Sequence, residues 1–273
     1  MAEAFHGVGV TRVRAGVRTA DRDRAAAEEP LEVRLHDKPF AVIMRTPGAD
    51  RELAAGFLLA EGVIKNADDL GTIQYCTDPS AEHPENIVNA TLVNGSAASL
   101  EKVLAERRNV TTNSSCGMCG RLTIDSLKTN LPPLVVPWTV PAATIVTLPD
   151  TLRRAQSVFE ETGGLHAAGL FTRDGALETI AEDVGRHNAV DKVIGRLVMQ
   201  ERLPLTGSLL FVSGRTSFEI VQKAFLAGIP LVAAVSAPSS LAIELAEECG
   251  ITLIGFLRGQ NFNIYTHPER VTT

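Results

Sequence analysis

The sequence predicts an α/β protein: an α+β N-terminal unit followed by a larger α/β unit built on a mixed, partly parallel sheet. Three observations predict it. Short alternating apolar runs dominate residues 30–93. From residue 147 onward, strand-sized and helix-sized apolar patterns alternate, with strand starts roughly 20 residues apart, as βαβ crossovers require. Between the two lies a polar, turn-forming stretch that carries two cysteines and ends in prolines.

The elements follow in order. Residues 1–29 are rich in Ala, Arg, Asp and Glu with poor apolar periodicity, and read as a flexible, mostly solvated N-terminal arm. Residues 30–108 read as a small, roll-like α+β subdomain. Leu31, Val33 and Leu35 alternate with polar residues, and residues 40–44 follow a His36-Asp37-Lys38-Pro39 turn, which predicts a β-hairpin. Pro47-Gly48 breaks the chain, and Asp50 is placed to cap a helix with Leu53, Phe57 and Ala60 on one face and Gly62 as its stop. Strands are expected near residues 72–76 and 87–93. A short helix capped by Ser96 or Ser99 follows, with Leu100, Val103 and Leu104 inward. Residues 109–146 form a Cys-x-x-Cys loop and a proline-rich connector.

Residues 147–273 form the α/β domain. A helix is expected over 149–162, with Leu152, Ala155 and Phe159 inward, then strands near 166–172 and 177–181. A helix over 186–200 carries Val190, Val193, Ile194 and Leu197 on one face. Strand and helix then alternate through 209–212, 217–227, 231–235, 241–248 and 251–257. A last strand near 262–266 returns through the turn Arg258-Gly259-Gln260-Asn261.

Composition narrows the function classes. A chain of 273 residues allows one large or two small domains at about 150 residues each. Hydrophobic residues make up 45% and charged residues 21%, enough to build a sizeable core. The net charge of −6 argues against duplex nucleic acid as the main ligand, while leaving room for a local basic pocket. No apolar run approaches the roughly 20 residues of a membrane helix. The start of the chain shows no apolar signal-peptide core. The four cysteines (Cys76, Cys116, Cys119 and Cys249) are too few for a disulfide framework, so a cytoplasmic protein with reduced thiols is expected.

The sharpest local feature is Cys116-Gly117-Met118-Cys119-Gly120. Glycine after each cysteine frees backbone N–H groups to stabilise a thiolate. A structural zinc site needs two further ligands, and neither a second Cys-x-x-Cys nor a His pair at ligand spacing is present. A thioredoxin-type site should open a helix directly after a strand, whereas Thr112, Asn113, Ser114 and Ser115 form no apolar strand. A zinc deaminase needs a proline directly before its Cys-x-x-Cys, where Ser115 stands. What remains is thiol nucleophile chemistry on a loop: a thiolate that accepts sulfane sulfur as a persulfide and passes it on.

Further polar clusters sit at strand-to-helix turns, where open α/β sheets bind ligands. One is Glu182-Asp183-Val184-Gly185-Arg186-His187-Asn188, in which His187 and Asp191 share a helix face. Another is Ser213-Gly214-Arg215, followed by Thr216 and Glu219 in a capping-box pattern. Ser236-Ala237-Pro238-Ser239-Ser240 and the segment Phe256, Leu257, Arg258, Gly259, Gln260 and Asn261 complete the set. Each also reads as an ordinary capped helix or tight turn. Together they suit a large phosphate-bearing anion such as a nucleotide. No P-loop and no dinucleotide fingerprint is present.

These residues, taken as an ordered set, resemble the formate dehydrogenase accessory sulfurtransferases of the FdhD/NarQ family. The resemblance spans residues 30–266. It runs through Met44-Arg45-Thr46-Pro47-Gly48, the Cys116 motif, Thr162-Gly163-Gly164-Leu165-His166-Ala167-Ala168, the Glu182 cluster, Ser213-Gly214-Arg215 and Phe256-Leu257-Arg258-Gly259. It implies a cytidine-deaminase-like fold for the C-terminal domain and a homodimer. It implies a cysteine desulfurase as sulfur donor and formate dehydrogenase as client. The cargo is the molybdenum cofactor, bis(molybdopterin guanine dinucleotide), with no permanent metal of the protein's own. By the same resemblance Cys116 carries the persulfide, Cys119 supports it, and Phe256, Leu257, Arg258, Gly259, Gln260 and Asn261 contact the cofactor. The residue reading adds Ser213, Arg215 and His187 to that contact set. A competing reading is a cofactor-binding chaperone whose cysteines form a structural metal or redox site.

Overall fold

The computed structural model describes residues 4–93 and 131–273. The helix expected after Ser96 or Ser99 and the loop carrying Cys116 and Cys119 lie outside the described residues.

The N-terminal residues differ from the flexible arm expected of them. Strands β1 (Phe5–Arg14) and β2 (Val17–Ala26) pair antiparallel along their whole length around Ala15 and Gly16. Arg12 bridges to Asp21 at 2.7 Å, and Arg24 pairs with Glu161 at the base. The hairpin is solvated on both faces, so no apolar alternation marks it in the sequence.

A four-stranded sheet follows: β3 (Glu29–Leu35), β4 (Lys38–Arg45), β5 (Leu70–Tyr75) and β6 (Ile87–Leu92), in the order β4-β3-β6-β5. Leu31, Val33 and Leu35 point inward, as their alternation requires. Helix α1 (Asp50–Ala60) covers that face. Asp50 is not its cap. Ala49 holds that position at φ 53°, and Asp50 lies in the first turn. The Arg45 guanidinium is fully buried and claims the Asp50 carboxylate with two bonds of 3.0 Å. A buried cation needs that partner more than a helix end does.

The connector pairs β7 (Val140–Pro141) with the C-terminal β14 (Val271–Thr272). Helices α2 (Ala142–Ile145), α3 (Leu148–Ala155) and α4 (Ser157–Thr162) come next. The single helix expected over 149–162 is thus broken, at Gln156, whose ψ is 82°. The Glu182 carboxylate accepts from the N–H groups of Val158 at 3.0 Å and Phe159 at 2.8 Å, giving α4 a separate start.

The large sheet has six strands in the order β13-β12-β11-β10-β8-β9. They are β8 (His166–Thr172), β9 (Leu177–Asp183), β10 (Ser208–Val212), β11 (Leu231–Ala234), β12 (Thr252–Arg258) and β13 (Asn261–Ile264). β10, β11 and β12 run parallel, and the other neighbours pair antiparallel. This is the mixed, partly parallel sheet the alternating pattern predicts. Alternate residues serve two cores. Leu170, Leu210, Val212 and Val232 meet α5 (Arg186–Met199), α6 (Phe218–Leu226) and α7 (Ser240–Cys249). Phe171, Leu209, Phe211 and Leu231 meet α2 and α3.

The first of those cores also contains Leu31, Leu53, Leu58 and Val88, so the N-terminal sheet and the α/β unit share one interior. The junction is α1 against α5, and it depends on two glycines. A Cβ on Gly195 would sit 1.8 Å from the Glu52 carbonyl oxygen, and one on Gly56 would sit 2.1 Å from the Asp191 carbonyl oxygen. Neither backbone can yield without separating the helices. Gly195→Ala is therefore expected to lower stability by about 1–3 kcal/mol or more, read from urea denaturation midpoints. Gly207→Ala, where a Cβ meets nothing within 4 Å, should change it little.

Candidate functional site

The sheet's parallel strands end on one side of the molecule, and their loops are tied together there. The Thr216 N–H donates to the Ala237 carbonyl at 3.3 Å, and Ser239 N–H donates to the Thr216 carbonyl at 3.0 Å. Phe256 N–H donates to the Ser236 carbonyl at 3.2 Å. Arg258 Nε donates to the Val235 carbonyl at 3.1 Å. Because β8 runs antiparallel to β10, its first residues arrive at the same end. Ala167 N–H donates to Ser213 Oγ at 2.9 Å and Ser213 N–H donates to the Ala167 carbonyl at 2.9 Å. The structure thus gathers four separated sequence motifs at the carboxyl ends of the parallel strands, where open α/β sheets bind ligands.

The expected contact residues take different positions within this surface. Arg215, Arg258, Gly259, Gln260 and Asn261 are exposed, and Ser213 is half-buried. Phe256 is exposed at φ 53°, where the strand register shifts and turns its ring outward. Leu257 is fully buried in the second core, so within this segment Phe256 and Arg258 are the large side chains that face solvent. His187 is buried, with Nε2 2.8 Å from Glu219 Oε2 and 3.0 Å from Ser217 Oγ. Its ring is engaged inside the protein. The Thr216/Glu219 capping box does not form: Ser217 holds the cap position of α6, and Glu219 turns to His187 instead. One helical turn further along, Lys223 Nζ binds both oxygens of Asp191, at 2.6 and 2.8 Å. The His187 and Asp191 spacing seen in the sequence therefore makes two rungs between α5 and α6.

Asp183, at the end of β9, is fully buried and accepts four donors. They are Lys192 Nζ at 2.7 Å, Gly185 N–H at 2.8 Å, Asn188 Nδ2 at 2.8 Å and Thr46 N–H at 3.2 Å. Thr46 answers with its hydroxyl, which accepts from Val184 N–H at 3.1 Å, and with its carbonyl, which accepts from Lys192 at 2.8 Å. Two motifs 137 residues apart, around Thr46 and around Asp183, thus form one buried polar joint.

His166 stands beside this joint at the start of β8. Burial, and then the positive charges of Arg186 and His187, hold its imidazole below the ordinary value of 6.5. A cleft of about 590 Å³ opens on the other face of the sheet. Arg153, Gln156, Phe159, His166, Ser213 and Val235 are among its lining residues. The Arg153 guanidinium lies 4.7 Å from the centre of the Phe159 ring. Arg153 and Gln156 were missed by the sequence reading because the apolar pattern of 149–162 looks like one uninterrupted helix. The glycine pair Gly163-Gly164 was the local signal, and both glycines line this cleft.

Comparison with known sequences supplies the family. A family-wide sequence model described as the FdhD/NarQ family matches residues 26–272. The chain belongs to the FdhD/NarQ family. Relatives named sulfur carrier protein FdhD include that of Streptomyces avermitilis, 49% identical over 96% of this chain and 94% of the relative. That of Mycobacterium tuberculosis is 49% identical over 90% of this chain and 91% of its own. A solved chain described as a formate dehydrogenase accessory protein, from Desulfotalea psychrophila, is similar over 99% of this chain and 100% of its own, at TM-score 0.78 and 25% identity. The α/β fold expected from the sequence is the one this FdhD/NarQ member shares. The two motif cysteines, Cys116 and Cys119, lie outside the described residues.

Two outcomes test this geometry. Asp183→Asn leaves the Lys192 ammonium buried without its countercharge, so stability should fall by about 3–5 kcal/mol in urea denaturation. For His166, the lowered titration means that the unfolded chain takes up the proton first. The contribution is complete above 6.5 and is lost as the pH falls below it. The His166 ring resonances should titrate with a midpoint under 6.5 in NMR. Its stability dependence in that range should flatten in His166→Gln.

Proposed function

We propose that this FdhD/NarQ protein is a sulfur carrier that receives sulfane sulfur on Cys116 and delivers it to the molybdenum cofactor of a formate dehydrogenase. The observation that carries the reading is the strand-end surface. The loops that carry Ser213, Arg215 and Arg258 are tied together there, and Ser213 also lines a cleft of about 590 Å³, on a chain whose net charge is −6. A local patch of guanidinium groups on an acidic protein suits a ligand with pyrophosphates. The bis(molybdopterin guanine dinucleotide) cargo has two of them. The relatives named sulfur carrier protein FdhD support the sulfur chemistry.

The steps balance with the chain's own thiols. The Cys116 thiolate attacks the outer sulfur of a persulfide on a cysteine desulfurase. One S–S bond forms, one breaks, and the donor leaves as thiolate. Cargo docks by its guanine nucleotide near Arg215 and Arg258, with His187 placed beneath by its bonds to Glu219 and Ser217. The Cys119 thiolate then attacks Cys116 Sγ. The outer sulfur departs as hydrosulfide toward the metal, and the two cysteines close a disulfide that a cellular thiol later reduces. The protein works in the cytoplasm as a homodimer, meeting the desulfurase and formate dehydrogenase in turn. No described helix is long and apolar enough to cross a membrane.

Mass spectrometry after incubation with a cysteine desulfurase and cysteine is expected to show one added sulfur atom on Cys116, absent in Cys116→Ala. An unmodified thiol in a protein that still binds cargo fully would instead establish the chaperone reading. Arg258→Ala and Arg215→Ala should each weaken guanosine diphosphate binding by about 1–3 kcal/mol in calorimetry. Unchanged affinity in both would refute the docking surface.

A further inference from the structure

We infer that the ribbon of β1 and β2 docks this protein, by its tip, on an anionic phospholipid surface. The ribbon leaves the body at Ala4 and Ala27, where the Ala27 N–H donates to the Ala4 carbonyl at 2.9 Å. Its base is held by Arg24, which pairs with Glu161 and lies 5.2 Å from the centre of the Phe5 ring. From Val17 to Ala25 every residue is exposed. Ten residues of strand reach about 30 Å, at roughly 3.4 Å per residue. A two-stranded ribbon buries no core of its own, so burial does not dictate its residues.

The tip has a chemistry of its own. Pairing places Val13 opposite Arg18 and Arg14 opposite Val17, around the turn at Ala15 and Gly16. Opposed residues share a face, and successive residues alternate between faces. Each face of the tip therefore carries one valine and one arginine. Val13 is 62% exposed and Val17 63%, more than Val8 at 40% nearer the base. Neither Arg14 nor Arg18 has an ion-pair partner among the described residues. The ribbon's two aspartates, Asp21 and Asp23, lie below the tip and both bind Arg12, at 2.7 and 3.4 Å. A folded partner would rest against one face and leave the other valine and arginine idle. A lipid surface surrounds the tip and meets both pairs at once, with guanidinium groups at the phosphates and valines at the acyl boundary below.

Charge and length favour the same partner. The ribbon, residues 5–26, carries five arginines and two aspartates, a net of +3, and the rest of the chain holds −9. An acidic body is repelled by an anionic surface, but at physiological salt screening confines that repulsion to about 8 Å. The tip stands about 30 Å beyond the ribbon's base, several times that length. Cationic groups thus reach the surface while the acidic body stays in screened solution. The attachment is peripheral and reversible, since each arginine near such a surface strengthens binding only about fivefold. It adds a place of work to the proposed sulfur carrier and does not depend on that reading.

The test is cosedimentation of the full chain with vesicles of phosphatidylcholine, and with vesicles of equal parts phosphatidylcholine and phosphatidylglycerol. Binding is expected to the anionic vesicles, and it should fall steeply as salt is raised. Arg14→Gln combined with Arg18→Gln should weaken it about 25-fold, roughly fivefold for each charge. Val13→Ser combined with Val17→Ser should weaken it as well. All four side chains are exposed, so urea midpoints should match wild type. Arg51→Gln combined with Arg154→Gln removes the same charge from exposed sites on the body and should leave vesicle binding nearly unchanged. Wild type that stays in solution beside the anionic vesicles overturns the inference. An equal loss in the body variant also overturns it, since that marks attraction without a docking site. A chain that ignores vesicles, and dissociates in analytical ultracentrifugation when Arg14 and Arg18 are replaced, gives the tip to a second copy instead.

Discussion

The carboxylate of Asp183 ends one strand of the large sheet inside the protein, with Lys192 as its countercharge and Thr46 as its link to the other sheet. Two apolar layers could slide against each other at little cost. A buried charge that needs four donors cannot move without losing them, because water is absent to replace them. The joint therefore sets the register between the N-terminal sheet and the α/β unit. The close passage of α1 over α5 at Gly56 and Gly195 follows from the same register, since the backbones meet only where neither residue carries a side chain.

The neighbour of Asp183 works the opposite face. Successive side chains of a strand point to opposite sides of a sheet. Asp183 reaches the core shared with the N-terminal sheet, and Glu182 reaches α4, where it accepts two backbone N–H groups. One dipeptide thereby locks both layers that flank the strand ends. The strand-end loops and the cleft lie against that edge.

Charge is distributed in the same sense. His187 pairs with Glu219, and Asp191 with Lys223, inside the α5/α6 interface. Arg215 and Arg258 are left at the surface, and Arg258 spends only its Nε on a carbonyl. The exposed guanidinium groups are thus presented by a scaffold in which Glu219, Asp191 and Lys223 already have partners between α5 and α6. Burial, and then the neighbouring Arg186 guanidinium, hold the His166 imidazole below its ordinary value.

Much of this was legible in the residues. The β-hairpin at residues 29–45, the α/β alternation, the parallel strands and the strand-end motifs follow from periodicity and turn chemistry, which act over a few residues. The hairpin of β1 and β2 was not legible, because a ribbon wet on both faces carries no apolar signal. Asp50 and Glu219 looked like helix-cap residues; Asp50 turned instead to buried Arg45 across the Pro47-Gly48 turn, and Glu219 to buried His187, which is adjacent only after folding. The break at Gln156 was hidden for the same reason: the group that causes it, Glu182, is 23 residues from Phe159 in sequence. By itself the sequence determined the order and kind of the elements that bury an apolar face, and the set of reactive motifs, since local backbone preference and burial pattern decide those. Tertiary structure alone decided which polar groups were consumed in joining layers and which remained free to face a ligand, because that depends on distances between residues far apart in the chain.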